Sequence, residues 1–362
     1  MSAPPLEAEA ASATVPLSST LDSSLTGLLE RLEFEEMQNR NITDLDLRKS
    51  SCLPLSSITQ SASRGTHGLD TNTSVIPRPW VLRDEGRIAA IISRAEDANP
   101  GFRNYMEDGV KVVDPFPMPG SRSDETWGFF AVYDGHGGRE AVDYCETRMH
   151  EQLLIEIRKL GPGCDISRVL SLAFQSIDSQ LAMYGAWNHG STATVAVVQR
   201  RQGSGTKLYL ANVGDSRSVL FGNGVVTRIS RDHRPDDVAE GRRVVEEGGR
   251  VVGNRVGGDL AISRSLGDHR LKGRGVSCIP DVRCCPVDSG DVLITASDGL
   301  WDVLSDDDVC HVVESSIQQV VELGIGQDEI MSWLQDNTAQ ELVDEAKRLG
   351  SQDNILVLVL FF

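Results

Sequence analysis

Four apolar stretches of this 362-residue chain meet an aspartate set beside glycine or asparagine: "AVYDGHGG" at Asp134, "ANVGDSR" at Asp215, "ITASDGLWD" at Asp298 and Asp302, and "SQDNILV" at Asp353. A single Asp-Gly after an apolar run is most often a turn. Four such sites, joined by Glu107 and Asp108 in "RNYMEDG", gather more carboxylates at strand ends than mutual repulsion tolerates without cations. The donors are oxygens, with no matching cysteine or histidine cluster, which points to hard divalent ions, Mg²⁺ or Mn²⁺. Two such ions sharing a carboxylate can clamp a phosphoryl oxygen and activate a bridging water, chemistry suited to hydrolysis of phosphate esters. That reaction also needs a cationic clamp and a proton donor to the leaving oxygen, and Arg103 and His136 lie close in sequence to the acids. Taken singly, Arg103 reads as a surface ion pair and His136 as a turn histidine donating to a carbonyl.

Such residues need stiff elements whose ends converge. "WGFFAVYD", "GSTATVAVVQ", "TKLYLANVG", "RSVLFG", "VVTRIS", "DVLITASD" and "NILVLVLFF" read as strands from their β-branched and aromatic content. Asn223-Gly224 marks a hairpin turn between the fourth and fifth of these. Helical periodicity appears in "GREAVDYCETRMHEQLLIEI", "DISRVLSLAFQSIDSQLAMY", "DDVAEGRRVVEEGG", "SDDDVCHVVESSIQQVVEL" and "SWLQDNTAQELVDEAKRLG", the last closed by Gly350. Adjacent strands with helices mostly elsewhere predict an α+β fold with antiparallel sheets. Residues 1–80, rich in Ser, Thr, Ala and Pro, read as a low-complexity, disordered extension with one amphipathic helix in "SSLTGLLERLEFEEMQNR"; residues 81–362 read as one folded domain.

The segments "RNYMED", "FFAVYDGHGG", "GSTA", "ANVGDSRSVL", "ISRDHRPDD", "EEGGRV", "LAISRSLGD", "TASDGLWDV" and "SQDNI" stand in the order and rough spacing of the metal-dependent type 2C serine/threonine protein phosphatases, which the chain resembles from about Asn99 to Phe361. The resemblance implies a central sandwich of two antiparallel β-sheets, flanked by α-helices on both outer faces, with two metals in a cleft at one end. It implies that Asp134 bridges both ions, that Glu107 and the Gly135 carbonyl complete one, and that Asp298 and Asp353 complete the other. Asp215 is similar to the acid that, with Asp298, holds a weaker third ion, while Asp108 and Asp302 fall at the rim or behind the ligands. Arg103 resembles the phosphate-binding arginine and His136 the general acid. The implied reaction is hydrolysis of phosphoserine or phosphothreonine by direct attack of a metal-bridging water. Leu356 departs from the family, which usually has Ser or Thr there, so packing is expected to replace a small polar contact behind Asp353. The segment "RDHRPDDVAEGRRVVEEGGRVVGNRVGGDL" matches the family's flap and lacks the tryptophan of its plant hormone-regulated members.

Bulk properties narrow the alternatives. A net charge of −18 argues against a nucleic-acid partner and a nuclease role, because phosphate backbones are gripped by clustered Lys and Arg. The seven cysteines are odd in number and scattered, as expected of reduced thiols. Ser2 follows Met1, no signal or transit character is present, and no apolar run is long enough to span a bilayer, so a cytoplasmic or nuclear location and no membrane partner are expected; the expected oligomeric state is a monomer. In that setting the sequons at Asn41 and Asn72 are chance matches. The expected partners are phosphoprotein substrates. A rival of a different class is a relative that keeps the fold as a phosphoprotein-binding module without catalysis; retention of all the metal-type acids weighs against it. Cys145 reads as a buried helix thiol and not as a nucleophile.

Overall fold

A computed structural model describes residues 78–83 and 86–362. The sequence-based helix in residues 23–40 and most of the 1–80 extension lie outside the described residues.

Two five-stranded antiparallel sheets form the centre. The first orders β1 (Ile91–Asp97), β15 (Ile355–Phe361), β14 (Val292–Ala296), β8 (Arg217–Gly222) and β9 (Val225–Arg228) side by side. The second orders β13 (Asp281–Val287), β7 (Gly205–Val213), β6 (Ala193–Arg201), β3 (Glu125–Tyr133) and β2 (Gly109–Val113). A third, small sheet joins β12 (Leu266–Gly267), β5 (Gly190–Ser191) and β4 (Gly135–His136). The hairpin of β10 (Val251–Val252) and β11 (Arg255–Val256) belongs to the flap.

The central strands read as continuous apolar runs because both of their faces are buried. Side chains alternate along a strand, so Phe129, Ala131 and Tyr133 of β3 join one outer core with the helices α1 (Glu140–Leu160) and α2 (Ile166–Met183), while Phe130 and Val132 enter the core between the sheets. Strand β15 divides in the same way. Ile355, Val357, Val359 and Phe361 pack in the opposite outer core, and Leu356, Leu358 and Leu360 point into the sandwich. That second outer core holds α6 (Asp306–Glu322) and α7 (Gln327–Arg348). Leu356, the departure noted above, is accordingly a core residue, 1% exposed. The described residues include three shorter helices, α3 (Val238–Glu246), α4 (His269–Lys272) and α5 (Asp298–Trp301), the last of which begins at one of the acids.

Local chemistry sets the boundaries. Ser305 and Asp308 form a reciprocal capping box that opens α6, with N–H to oxygen distances of 3.1 and 3.2 Å. Asn223 and Gly224 both take positive φ (52° and 74°), the turn geometry that matches the twist of β8 and β9. Several sequence-based boundaries shift. The last helix starts at Gln327, before the "SWLQ" run, with Gly326 as its N-terminal flanking residue, whose N–H donates to the Glu329 carboxylate (3.2 Å). The expected strand over "GSTATVAVVQ" divides at Thr192, whose backbone and hydroxyl are both committed to Asp134, so Gly190–Ser191 join the small sheet instead. Strands β1, β2 and β13 escaped the sequence reading because charged and polar residues interrupt their alternation.

The two-faced core gives a stability prediction. Phe130, 1% exposed between the sheets, should cost about 3–5 kcal/mol on truncation in Phe130→Ala. Exposed Val225→Ala should stay within about 0.5 kcal/mol. Urea denaturation of both variants measures the contrast, and similar values for the two would contradict the packing.

Candidate metal centre and active site

The carboxylates converge where β3, β7, β14 and β15 end or begin on one side of the sandwich. Asp134, Asp215 and Asp298 offer oxygens that all lie within 4.8 Å of one another. Among the described residues this is the one such trio of acidic, histidine or cysteine donors. Asp215 is buried, and Asp134 and Asp298 are partly so. Desolvation, followed by repulsion from Asp298, Asp108, Asp215 and Asp353, pushes the Asp134 carboxyl well above the usual carboxylate range. Asp298 is raised for the same reasons, burial first and then Asp215 and Asp302. Asp215 is raised to about 6 by burial, against the pull of Arg234. Asp108 is raised to about 7, again chiefly by burial. Such a cluster gains from a positive charge, and an all-oxygen donor set fits a hard divalent cation.

The backbone around these acids is fastened by polar side chains. The Asp134 N–H donates to Thr192 Oγ1 (3.0 Å), and its carbonyl accepts from the Thr192 N–H (2.8 Å). Ser216 Oγ lies 2.7 Å from the same threonine hydroxyl, which links the Asp134 and Asp215 turns. Ser297 Oγ donates to Asp108 (2.6 Å) and accepts from the Leu356 N–H (3.0 Å). Asn354 accepts from the Glu107 N–H (2.8 Å) and donates to the Ala98 and Tyr105 carbonyls. Asn99 donates to the carbonyls of Ser351 (2.7 Å) and Asp353 (3.2 Å). The loop carrying Arg103 and Glu107 is thereby stapled to the loop carrying Asp353. Gly135 allows this close approach, since a Cβ there would come within 2.6 Å of the Glu107 carbonyl oxygen and of Val142.

The remaining sequence candidates have individual partners. Glu107 Oε1 accepts from the Gly138 N–H (2.7 Å), which draws its carboxylate to the turn after His136. Arg103, 44% exposed, pairs with Asp353 at the mouth. A cavity of about 380 Å³ opens beside this pair, with Phe102, Val303 and Asp302 on its wall. Asp302 is exposed and paired to Arg234 at 2.8 Å. His136 Nε2 lies 2.8 Å from the carboxylate of Asp268. Burial disfavours the imidazolium, but the hydrogen bond and charge of Asp268 outweigh it and raise the histidine pKa. The innermost trio is thus Asp134, Asp215 and Asp298, while beside it Glu107 has one oxygen engaged by the Gly138 N–H and Asp353 has both engaged, one by Arg103 and one by the Asn354 N–H (2.7 Å).

Sequence reasoning passed over Arg234, Asp268, Thr192 and Asn354. Arg234 Nε stands 2.8 Å from Asp215 and its Nη2 3.7 Å from Asp298, so a guanidinium of the chain itself offsets part of the acidic charge. The Asp-Gly and Asp-Asn signal could not identify it, because Arg234 comes from the flap. Thr192 and Asn354 sit inside the quoted segments "GSTA" and "SQDNI", but their role depends on long-range backbone contacts that spacing does not encode.

The acid cluster makes stability depend on pH and on cations. In chelator-treated protein the folded chain holds protons on Asp108 and Asp215 up to pH values near 7 and 6, whereas unfolded carboxyls titrate at about 4. The native state binds more protons across that window, so its stability should fall as pH rises through it. A cation relieves that penalty, and the rise in melting temperature on adding Mn²⁺ should be greater at about pH 7.5 than at about pH 5.5. Differential scanning calorimetry at the two pH values would detect this; no Mn²⁺-dependent shift, or one favouring the lower pH, would contradict it.

The family model described as Protein phosphatase 2C matches residues 92–355. Protein phosphatase 2C homolog 1 of Saccharomyces cerevisiae is 34% identical over 307 residues, covering 81% of this chain and all of the yeast protein. Probable protein phosphatase 2C 8 of Oryza sativa is 34% identical over 331 residues, covering 80% of this chain and 79% of the rice protein. A solved phosphatase structure from Toxoplasma gondii superposes with a TM-score of 0.61 at 23% identity, covering 75% of this chain and 95% of that one, a likeness of fold. The matched segment contains every acid of the site, and the two-sheet sandwich is shared. The chain belongs to the protein phosphatase 2C family and is a hydrolase of the protein phosphatase class.

Proposed function

We propose that the protein removes phosphate from phosphoserine and phosphothreonine in protein substrates, with two Mg²⁺ or Mn²⁺ ions and a weaker third. The carrying observation is the trio Asp134, Asp215 and Asp298, three desolvated carboxylates within 4.8 Å, with Arg103 and His136 alongside. Asp134, Glu107 and the Gly135 carbonyl would hold one ion and Asp298 with Asp353 the other, and Asp215 would serve the third. When bound, such ions polarise the phosphoryl oxygens and bring a water to near-neutral pKa. Arg103 is suited to bind the phosphate through its paired N–H groups. His136 is suited to give a proton to the departing Ser or Thr oxygen. Asp108, behind Asp134 and held by Ser297, steadies the strand end, and Asp302 keeps Arg234 at the rim. Residues 81–362 form the catalytic unit in this reading, residues 1–80 are an extension to it, and the protein works as a monomer in cytoplasm or nucleus.

Purified protein with millimolar Mn²⁺ should release phosphate from a phosphothreonine peptide, and Asp134→Ala should lower both Mn²⁺ affinity by calorimetry and turnover by at least about 100-fold. A wild-type protein that stays inactive with Mn²⁺ yet binds the phosphopeptide would replace this reading with that of a binding module. His136→Ala should slow the peptide by about 100-fold or more and an activated aryl phosphate far less, since a good leaving group needs no proton. Equal losses on both substrates would remove His136 from the acid role.

A further inference from the structure

We propose that Asp268 is the positioning residue for His136, and that the small sheet β12–β5–β4 exists to bring the two side chains together. This rests on the reading of His136 as proton donor given above. His136 closes β4, and Asp268 directly follows β12, a sequence separation of 132 residues. Strand β5 lies between them and pairs with both: His136 opposes Gly190 on one side and Gly267 opposes Gly190 on the other. The meeting point has no room for a side chain. A Cβ on Gly190 would fall 2.1 Å from Asp268 Oδ2 and 2.6 Å from His136 Nε2.

Asp268 is held as a fixed support. It is 4% exposed and adopts a left-handed backbone (φ 52°), which a non-glycine residue rarely takes without restraint. The restraints are its own N–H, donated to the His189 carbonyl at 2.9 Å, and its carbonyl, which accepts from the Leu271 N–H at 2.7 Å. Ser265 Oγ donates to Oδ2 at 2.6 Å. His136 Nε2 then lies 2.9 Å from Oδ1 and 2.8 Å from Oδ2, so the carboxylate faces one ring nitrogen with both oxygens. A carboxylate accepts, so Nε2 carries the hydrogen. Both hydrogen bonds from the ring to described residues run through Nε2, which leaves Nδ1 as the nitrogen for the leaving oxygen. Asp268 touches none of the metal-type acids in these contacts. It acts through the histidine by fixing which way the ring turns and which nitrogen is offered.

The test compares kcat and KM of the full-length chain, saturated with Mn²⁺, on a phosphothreonine peptide and on para-nitrophenyl phosphate. Asp268→Asn keeps the size of the side chain but weakens it as an acceptor. It should lower kcat on the peptide by about 10-fold or more, bounded by the loss in His136→Ala, with little change on the aryl phosphate and in either KM. In a His136→Ala background the same change should add less than about 2-fold, because the group it positions is gone. Ser265→Ala, which removes only the supporting hydrogen bond, should give a smaller loss with the same selectivity for the peptide and serves where Asp268→Asn folds poorly. Equal losses on both substrates, or full additivity with His136→Ala, would overturn the proposal. If His136→Ala is selective for the peptide and neither Asp268→Asn nor Ser265→Ala is, the positioning role alone falls. If His136→Ala itself lacks selectivity, the acid role and the positioning role fall together.

Discussion

The structure is organised around the crowding of negative charge where strands of two sheets end together. Asp134, Asp215 and Asp298 approach within 4.8 Å, with Asp108 and Asp353 contributing further repulsion. Carboxylates at that spacing with reduced hydration shift toward their neutral form or require cations. A flexible chain would relieve the strain by moving apart. Here it cannot, because each acid is attached to a central strand or its turn and the turns are cross-linked by Thr192, Ser216, Ser297 and Asn354. The site is therefore preorganised for positive charge by the stiffness of what carries it.

That stiffness comes from burial on both faces of the sheets. Leu356, Leu358 and Leu360 fill the sandwich while Val357 and Val359 pack beneath α6 and α7 on the other side. Close-packed cores of this kind transmit displacement instead of absorbing it. Moving Asp353 or Asp298 would disturb neighbours in two layers. The leucine at 356, where a polar residue is usual in the family, is compatible with this arrangement because the local polar link is made by its own N–H to Ser297 Oγ.

The flap is fastened differently, by charge. Glu240 is almost fully buried and pairs with Arg264 at 2.6 Å and Arg243 at 2.9 Å, and these arginines, which outweigh the cost of burial, hold its carboxyl far below the usual range. Arg264 continues to Asp281 at the start of β13 (2.9 Å), and His233 is buried next to the same acid. The network ties α3 to the second sheet and fixes the segment from which Arg234 reaches Asp215 and Asp302. Removing one partner from a buried ion network of this type leaves an uncompensated buried charge, so the flap depends on all of its members being present together.

The sequence by itself determined the strands that carry the acids, the helices that cover them and the oxygen-only character of the site, because these follow from local composition and from side chains next to one another in the chain. The Asn223-Gly224 hairpin was legible for the same reason. What tertiary structure alone decided is which acids stand innermost and what each polar side chain is for. Glu107 is turned to the Gly138 N–H, Asp353 to Arg103, and Asp215 enters the central trio. The pairing of His136 with Asp268 needs three two-residue strands, drawn from near residues 135, 190 and 267, to align, and no periodicity announces a strand that short. "FFAVYDGHGG" thus specified a stiff rod tipped with an acid and a histidine, while the partners of both were set by segments far away in sequence, whose approach depends on the packing of the whole sandwich.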